Sequence, residues 1–370
     1  MNVLYVLFSK GFGGLERYAI AHAQDMVAKG HRIYFLRRHA SKVADAVRNM
    51  TEFSGEEVNP VKYIDLLTML DIRSYIKKNK VDIVHVNQSA DLGLVAPALW
   101  RLGSVRLIFS NYMQVPTPKK DLYHRLEYGR IEKILVASEY MRQNALANLP
   151  VTPEQVEILP YGLTLDRFNP DAPKKNEIRK TFNLADDTQL IGVISRLDPL
   201  KGQMEMIRAM PSIISKNPKA RLALTGDETP ELEGQYKHKL ITEVKKLGLE
   251  NYVFFTGQTN DTPGILSELD VYVLPSHSET FALGCLEAMA MKKPVVGTNS
   301  GGTKEMLDYG ECGLLAEPKS PTALATSVNR LLADKVLRAD LASKARAKIE
   351  NFYDRKVVVK RLNAIYENEV

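Results

Sequence analysis

At 370 residues the chain is too long for one ordinary hydrophobic core and suits two domains. Its apolar and charged fractions, 45% and 25%, are those of a globular protein, and no run approaches the ~18 consecutive apolar residues of a membrane span. The net charge is +6, and two cysteines without ligand-spaced partners, Cys285 and Cys312, exclude a disulfide framework and a cysteine-held metal and fit a reducing cytosol.

The chain opens on an apolar strand, residues 1–8, rather than on a secretory leader. The loop Ser9-Lys10-Gly11-Phe12-Gly13-Gly14 follows, then a helix over 15–29 closed by Gly30. A glycine loop between strand and helix lets backbone amides approach a phosphate. A nicotinamide-cofactor loop is a second reading, but the spacing is not GxGxxG, because Glu16 stands three residues beyond Gly13. Residues 31–36 resume as a strand that ends at Arg37-Arg38, where a nicotinamide site would carry an acidic residue.

Residues 41–80 are mixed, with helical pattern from 66 to 80. The spacing then predicts a strand over 81–86, carrying His85 and leading to Asn87, a helix over 92–102, and a strand over 106–109 ending at Ser110-Asn111-Tyr112. An amphipathic helix over 122–132 carries His124, Arg125 and Arg130; it reads as a domain-surface helix or as one that touches a membrane or an acceptor. Strands over 134–137 and 156–159 flank a helix over 139–147 and complete a doubly wound first half. The basic excess lies here: residues 1–165 hold 21 Lys and Arg against 16 Asp and Glu. A solvated basic surface, an anionic membrane face and an acidic acceptor all fit that excess; no nucleic-acid motif accompanies it.

Residues 161–173 are turn-rich and read as a linker. A second series begins with a strand over 190–194 and the loop Ser195-Arg196-Leu197-Asp198-Pro199-Leu200-Lys201-Gly202. Helices over 204–215 and 240–247 alternate with strands over 221–225 and 252–256, and a short helix covers 262–269. Residues 271–274 are a buried strand, 275–279 turn chemistry, 282–291 an apolar helix, and 294–297 another strand. Lys292 and Lys293 are placed to suit that helix's dipole. Helices over 323–333, 337–352 and 355–368 end the chain.

Two carboxylates mark the second half. Glu279 ends the loop before the apolar helix, and Glu287 sits inside it among Leu283, Leu286, Ala290 and Met291. A lone carboxylate there needs hydrogen-bond donors, from solvent, a structural Lys or Arg, or ligand hydroxyls. Arg196 and Lys201 lie on a loop leaving the same sheet edge. With the free amides at Phe281, Ala282 and Leu283 and a glycine loop, they suit a diphosphate; pairing with surface acids is the plainer alternative.

GGLE at Gly13, SRLDPLKG over 195–202 and above all Glu279-x7-Glu287 followed by PVVGTNSGG resemble the retaining GT-B glycosyltransferases of the glycogen-synthase-like GT4 type. The resemblance covers essentially the whole chain, including VASEYM at Val136 and LPYGLTLDRF at Leu159. It implies two Rossmann-like doubly wound domains facing across a cleft, residues 1–165 on the acceptor side and 166–352 holding the nucleotide-sugar. Residues 353–370 would be a C-terminal helix crossing back to the first domain. It implies catalytic roles for Glu279, Arg196 and Lys201 and donor binding by Gly13, Gly14, Thr280, Phe281, Ala282, Leu283 and Glu287. His85, Asn111 and Tyr112 would be sugar or acceptor contacts; Asn111 or Tyr112 stands where the family often has a histidine.

The expected activity is retaining, metal-independent transfer of a sugar from a nucleotide-diphosphate donor, with UDP favoured over GDP, to a lipid-linked or saccharide acceptor in cell-envelope glycan or glycolipid synthesis. No cofactor is implied beyond that co-substrate. The expected site of action is cytoplasmic, with peripheral association with an anionic inner membrane face. The alternative is a catalytically idle GT-B protein that binds nucleotide or sugar within a complex.

Overall fold

The computed structural model describes residues 1–61, 65–228 and 234–369. The chain divides into two compact units, Met1–Pro160 with Val358–Val370, and Tyr161–Val357. Among the described residues no helix is long and apolar enough to cross a membrane.

The first unit is built on a parallel sheet of β1 (Asn2–Leu7), β2 (Arg32–Arg38), β3 (Ser54–Val58), β4 (Ile83–Val86), β5 (Arg106–Ser110), β6 (Lys133–Val136) and β7 (Val156–Ile158). Their spatial order is β3-β2-β1-β4-β5-β6-β7. Alternate residues of β1 serve opposite faces, as the strand period of two requires. Leu4 and Val6 join one buried cluster, and Val3, Tyr5 and Leu7 the other. Both faces are apolar because helices cover both, which is how parallel sheets are stabilised.

The second unit repeats the plan with β8 (Gln189–Ile194), β9 (Ala220–Thr225), β10 (Val253–Gly257), β11 (Val271–Leu274), β12 (Val295–Thr298) and β13 (Leu314–Ala316), ordered β10-β9-β8-β11-β12-β13. In each sheet the order reverses once, between β1 and β4 and between β8 and β11. The loops leaving those strands therefore open a crevice at the C-terminal edge, where open α/β sheets take ligands.

Several expectations shift. Strand β3 (SGEEV) is a polar edge strand with no apolar alternation, held by its pairing with β2 alone. The helix expected over 122–132 stops at Tyr128, with Gly129 at its C-terminal end. The helix expected from 337 begins at Lys335, because the Asp334 carboxylate accepts the Leu337 amide. Lys293 does not serve its own helix. Its ammonium donates to the carbonyls of Ser267 and Leu269, at the end of the helix Thr262–Glu268, at 2.9 and 3.0 Å. Burial there lowers its pKa to about 8.

The terminal helix, Arg355–Glu367, belongs to the first unit from Val358 onward. Val358, Leu362, Ile365 and Tyr366 pack into the cluster of Val3, Tyr5 and Leu7. Tyr366 Oη lies 2.9 Å from Tyr5 Oη and 2.5 Å from His85 Nδ1, all fully buried. Arg106 donates to the last carbonyls of the helix, at Ile365 and Tyr366. Tyr366→Phe should leave two buried polar partners unsatisfied and destabilise the first unit by about 1–3 kcal/mol, read as an earlier urea transition of the full chain; an unchanged midpoint would refute the clamp.

Candidate functional site

The second unit gathers its candidate residues at the β8/β11 switch. The loop after β8 carries Arg196 and turns through Pro199–Lys201 into Gly202. Gly202 has φ +72°, and a Cβ there would lie 1.9 Å from the Pro275 carbonyl oxygen on the loop after β11. Only glycine lets the two loops meet. The His277 amide donates to the Leu200 carbonyl at 2.8 Å, and Gln203, fully buried, donates to Ser195 Oγ and the Arg196 carbonyl at 2.9 and 2.7 Å.

This contact sets Lys201 Nζ 2.6 Å from Glu279 Oε1, which also accepts from Ser276 Oγ at 2.9 Å. The loop after β12 fixes the same residue from behind. The Gly302 amide donates to the Glu279 carbonyl at 2.7 Å, and Gly301, at φ +54°, passes so close that a Cβ would lie 2.1 Å from that oxygen. Arg196 is exposed on the loop it shares with Lys201. The helix following Glu279 spans Leu283–Ala290, with Ala282 as its extended N-cap residue rather than its first helical one. Its first amides have no acceptor within the helix and face an anion well. Phe281 packs against Tyr161 and Tyr353 in tilted ring contacts, at 5.0 and 5.9 Å between ring centroids, on the approach to that helix. Glu287 is partly buried within the helix; desolvation pushes its pKa up to about 7, against the pull of Arg167.

In the first unit, Gly13 precedes the helix Gly14–Ala28. Glu16 explains the GGLE motif. Its carboxylate accepts from the Gly13 amide and Ser9 Oγ, both at 2.7 Å, and from Gln88 Nε2 at 2.9 Å, so one buried side chain ties the β1 loop to the β4 loop. His85 is withdrawn from any ligand. Its Nδ1 meets Tyr366 Oη, its Nε2 meets Ser110 Oγ at 2.8 Å, and burial lowers its pKa to about 3, so it is neutral. The implied sugar or acceptor contact is thus, in this structure, a core histidine with both ring nitrogens satisfied.

Asn111 and Tyr112 sit at the end of β5, both buried. Asn111 Nδ2 is buried without a hydrogen-bond partner, and so is Nδ2 of Asn87 at the end of the adjacent β4. Two orphaned donors on neighbouring strand ends are costly, ~1–3 kcal/mol each, unless an oxygen from a ligand meets them. Asn87 was not among the sequence candidates; its signal was its position at the end of the β4 segment. Gly202, Gln203 and Ser276 also escape sequence reasoning: Gly202 answers to Pro275 about 70 residues on, and Gln203 and Ser276 make short-range side-chain contacts, to Ser195 and Arg196 and to Glu279, that no residue pattern announces.

Residues 12–167 match the family model described as Glycosyltransferase Family 4, and residues 174–348 the one described as Glycosyl transferases group 1. A GDP-mannose-dependent alpha-(1-6)-phosphatidylinositol monomannoside mannosyltransferase of Mycobacterium tuberculosis is 29% identical over 279 residues, 71% of this chain and 70% of its own. The UDP-Gal:alpha-D-GlcNAc-diphosphoundecaprenol alpha-1,3-galactosyltransferase of Escherichia coli is 26% identical over 313 residues, 81% of this chain and 78% of its own. The crystal structure of Anabaena HepE in complex with UDP superposes with a TM-score of 0.85 at 20% identity, covering 100% of both chains. With family matches across both halves and the same two-sheet architecture, this chain belongs to the GT4 family of GT-B glycosyltransferases.

Proposed function

We propose that the protein is a retaining, metal-independent hexosyltransferase that moves a sugar from a nucleotide-diphosphate donor to a lipid-linked or saccharide acceptor in envelope glycan or glycolipid synthesis. The observation that carries the reading is the Lys201–Glu279 pair, set beside a helix N-terminus at the switch point of a nucleotide-binding type of sheet. Relatives supply the acceptor class: one acts on phosphatidylinositol monomannoside and the other on a diphosphoundecaprenol-linked sugar.

In this mechanism the bond between the sugar C1 and the diphosphate oxygen breaks, and its electron pair leaves with the diphosphate. Arg196, Lys201 and the amides after Thr280, through Phe281, Ala282 and Leu283, stabilise that growing charge. They supply the positive charge a divalent metal would otherwise bring. The acceptor hydroxyl oxygen bonds to C1 from the same face, and its proton passes to the departing diphosphate. Glu279 holds a donor-sugar hydroxyl, and its ion pair keeps Lys201 aimed. Glu287 accepts from the ribose hydroxyls, and Gly13 and Gly14 offer backbone to a phosphate. Asn111 and Tyr112, with Asn87, meet sugar hydroxyls. The donor relatives use GDP-mannose and UDP-galactose, so a test panel spans both bases, with UDP-sugars first.

We further propose peripheral attachment to an anionic membrane face. The helix Leu122–Tyr128 exposes Leu122, Tyr123 and Leu126, and Trp100 is 65% exposed beside it. Trp100, Tyr123 and Leu126 line a mainly apolar groove of about 470 Å³, whose lining also includes Arg125, Arg130 and the buried Glu127. Arg101 and Lys120 are exposed nearby in sequence, and the Lys120 carbonyl holds Arg125 at 3.1 Å. Apolar anchors ringed by cations suit a bilayer interface.

Free nucleotide should be released from at least one donor in EDTA, and Glu279→Ala and Lys201→Ala should each lower that release by about 100-fold; undiminished release in both variants would overturn the assigned roles. Ribose hydroxyls donate to an ionised carboxylate, so UDP-sugar affinity should rise from about pH 6 to about pH 8 as Glu287 loses its proton, and Glu287→Gln should flatten the slope. In flotation, the chain should follow anionic vesicles and not neutral ones, and Leu126→Glu should cut the bound fraction severalfold; equal recovery on both vesicle types would remove the electrostatic argument.

A further inference from the structure

The stretch Ser276-His277-Ser278-Glu279 carries one titratable side chain that the proposed reaction leaves unused. His277 stands two residues before Glu279 on the loop after β11, and its Nε2 lies 3.0 Å from Oε1 of Glu205. Glu205 is in the first turn of the helix Gln203–Lys216, which follows the β8 loop. We propose that His277 is a positioning residue for donor cleavage: by latching onto Glu205 it fixes the loop that carries Glu279 and, through Glu279, the ammonium of Lys201. Its effect on catalysis rests on the glycosyl-transfer reading above; the latch itself does not.

Three contacts join the two loops. Gly202 meets the Pro275 carbonyl, and the His277 amide donates to the Leu200 carbonyl. Both are made by backbone, and two contacts leave a loop free to turn about the line between them. The imidazole adds a third, made by a side chain, which removes that freedom. The reacting groups sit on the same two stretches. Lys201 lies between Leu200 and Gly202, and Ser276, which donates to Glu279 Oε1 at 2.9 Å, lies between Pro275 and His277. A turn of the loop would therefore move Glu279 against Lys201, now 2.6 Å away.

The surroundings of Glu205 show a built contact. A glutamate in a helix's first turn ordinarily suits the dipole from the solvent side. This one is turned inward, with its side chain 16% exposed. Its Oε2 is buried with no hydrogen-bond partner, so among the described residues the imidazole is the only group that donates to the carboxylate. A carboxylate only accepts, so the proton of this bond sits on Nε2. Arg208, one turn on, does not serve it, because that guanidinium pairs with Glu243 at 2.6 Å. Tyr236 is also close, and its Oη is buried without a partner; burial, with the Glu205 carboxylate adding to it, pushes its pKa up to about 12. An apolar pair would cost less to bury here. What the paired charge supplies is register, since a displaced loop would leave the carboxylate with no donor.

Two readouts on the full chain test the latch in His277→Ala, His277→Gln, Glu205→Ala and Lys201→Ala. The first is acetylation of Lys201 by dilute acetic anhydride, read by peptide mass spectrometry, with the exposed Lys219 as internal control. Lys201 should react severalfold faster in His277→Ala and in Glu205→Ala, while His277→Gln, which still donates to Glu205, should stay near the wild-type rate. A Lys201 rate unchanged against Lys219 in both alanine variants would overturn the proposal. The second readout is nucleotide release. His277→Ala should lower kcat about tenfold with KM held within about twofold. Added to Lys201→Ala it should cost nothing further, because the ring acts through Lys201. Losses that multiply in the double variant would overturn that route, and a loss that follows a lowered urea midpoint and is not rescued by His277→Gln would reduce His277 to a packing residue. A wild-type chain that turns over no donor would remove the transfer reading, and the acetylation rates would still decide the latch.

Discussion

The second unit depends on one close approach. Gly202 meets the Pro275 carbonyl at a distance no side chain permits. Without that contact, the loops after β8 and β11 would stand apart, and the Lys201–Glu279 pair would lose its geometry. The pair itself is only partly shielded, with the lysine side chain 23% exposed. Its Coulomb energy is therefore modest, and its value is positional. A flexible ammonium is held in one place before any ligand arrives, which in the proposed reaction leaves little reorganisation to be done. The Gly301 and Gly302 contacts behind Glu279 serve the same end from a third strand.

The first unit is organised on a different economy. At its switch point the side-chain amides of Asn87 and Asn111 are buried without a partner, and Asp91 sits deep enough that burial pushes its pKa up to about 7. A stability-optimised sheet edge would not keep them. Deeper in the same unit, Tyr5, His85, Ser110 and Tyr366 form a fully satisfied chain. Satisfied polar groups hold the frame, and the unsatisfied ones sit at the strand ends. His85 shows how close the two can be, since it lies two residues before Asn87 on one strand.

Much of this was legible in the residues. Parallel strands buried on both faces read as apolar runs, and β1, β8 and β11 were plain for that reason. Strand β3, with its SGEEV sequence, was not, because an edge strand buries little and owes its form to β2. Glu279 and Glu287 stand out as carboxylates beside or within an apolar run, and Lys201 with Arg196 as a pair of cations on a loop leaving a strand. Ser276, Gln203 and Asn87 do not, because a single polar side chain at a loop or helix start has no pattern of its own; what it bonds to, or fails to bond to, depends on how the loop turns. Lys293 shows the limit of local rules. Two lysines after a helix suggest its own dipole, yet the buried ammonium caps a different helix.

The chain's route through the two units has a consequence for its biogenesis. The second unit, Tyr161–Val357, is an insertion in the first, whose last helix is supplied from Val358 onward. During synthesis all seven strands of the first sheet are made long before that helix exists. Tyr5 and His85 lack their partner, and the apolar face of Val3 and Leu7 lacks its cover, while nearly two hundred further residues are added. The inserted unit has no such dependence. The usual order of vectorial folding, N-terminal domain first, is thereby inverted: the inserted unit can close first, and the first unit is completed last. A chain released at the end of the inserted unit, before the residues from Val358 onward are added, would carry one finished unit and one uncovered, aggregation-prone sheet face.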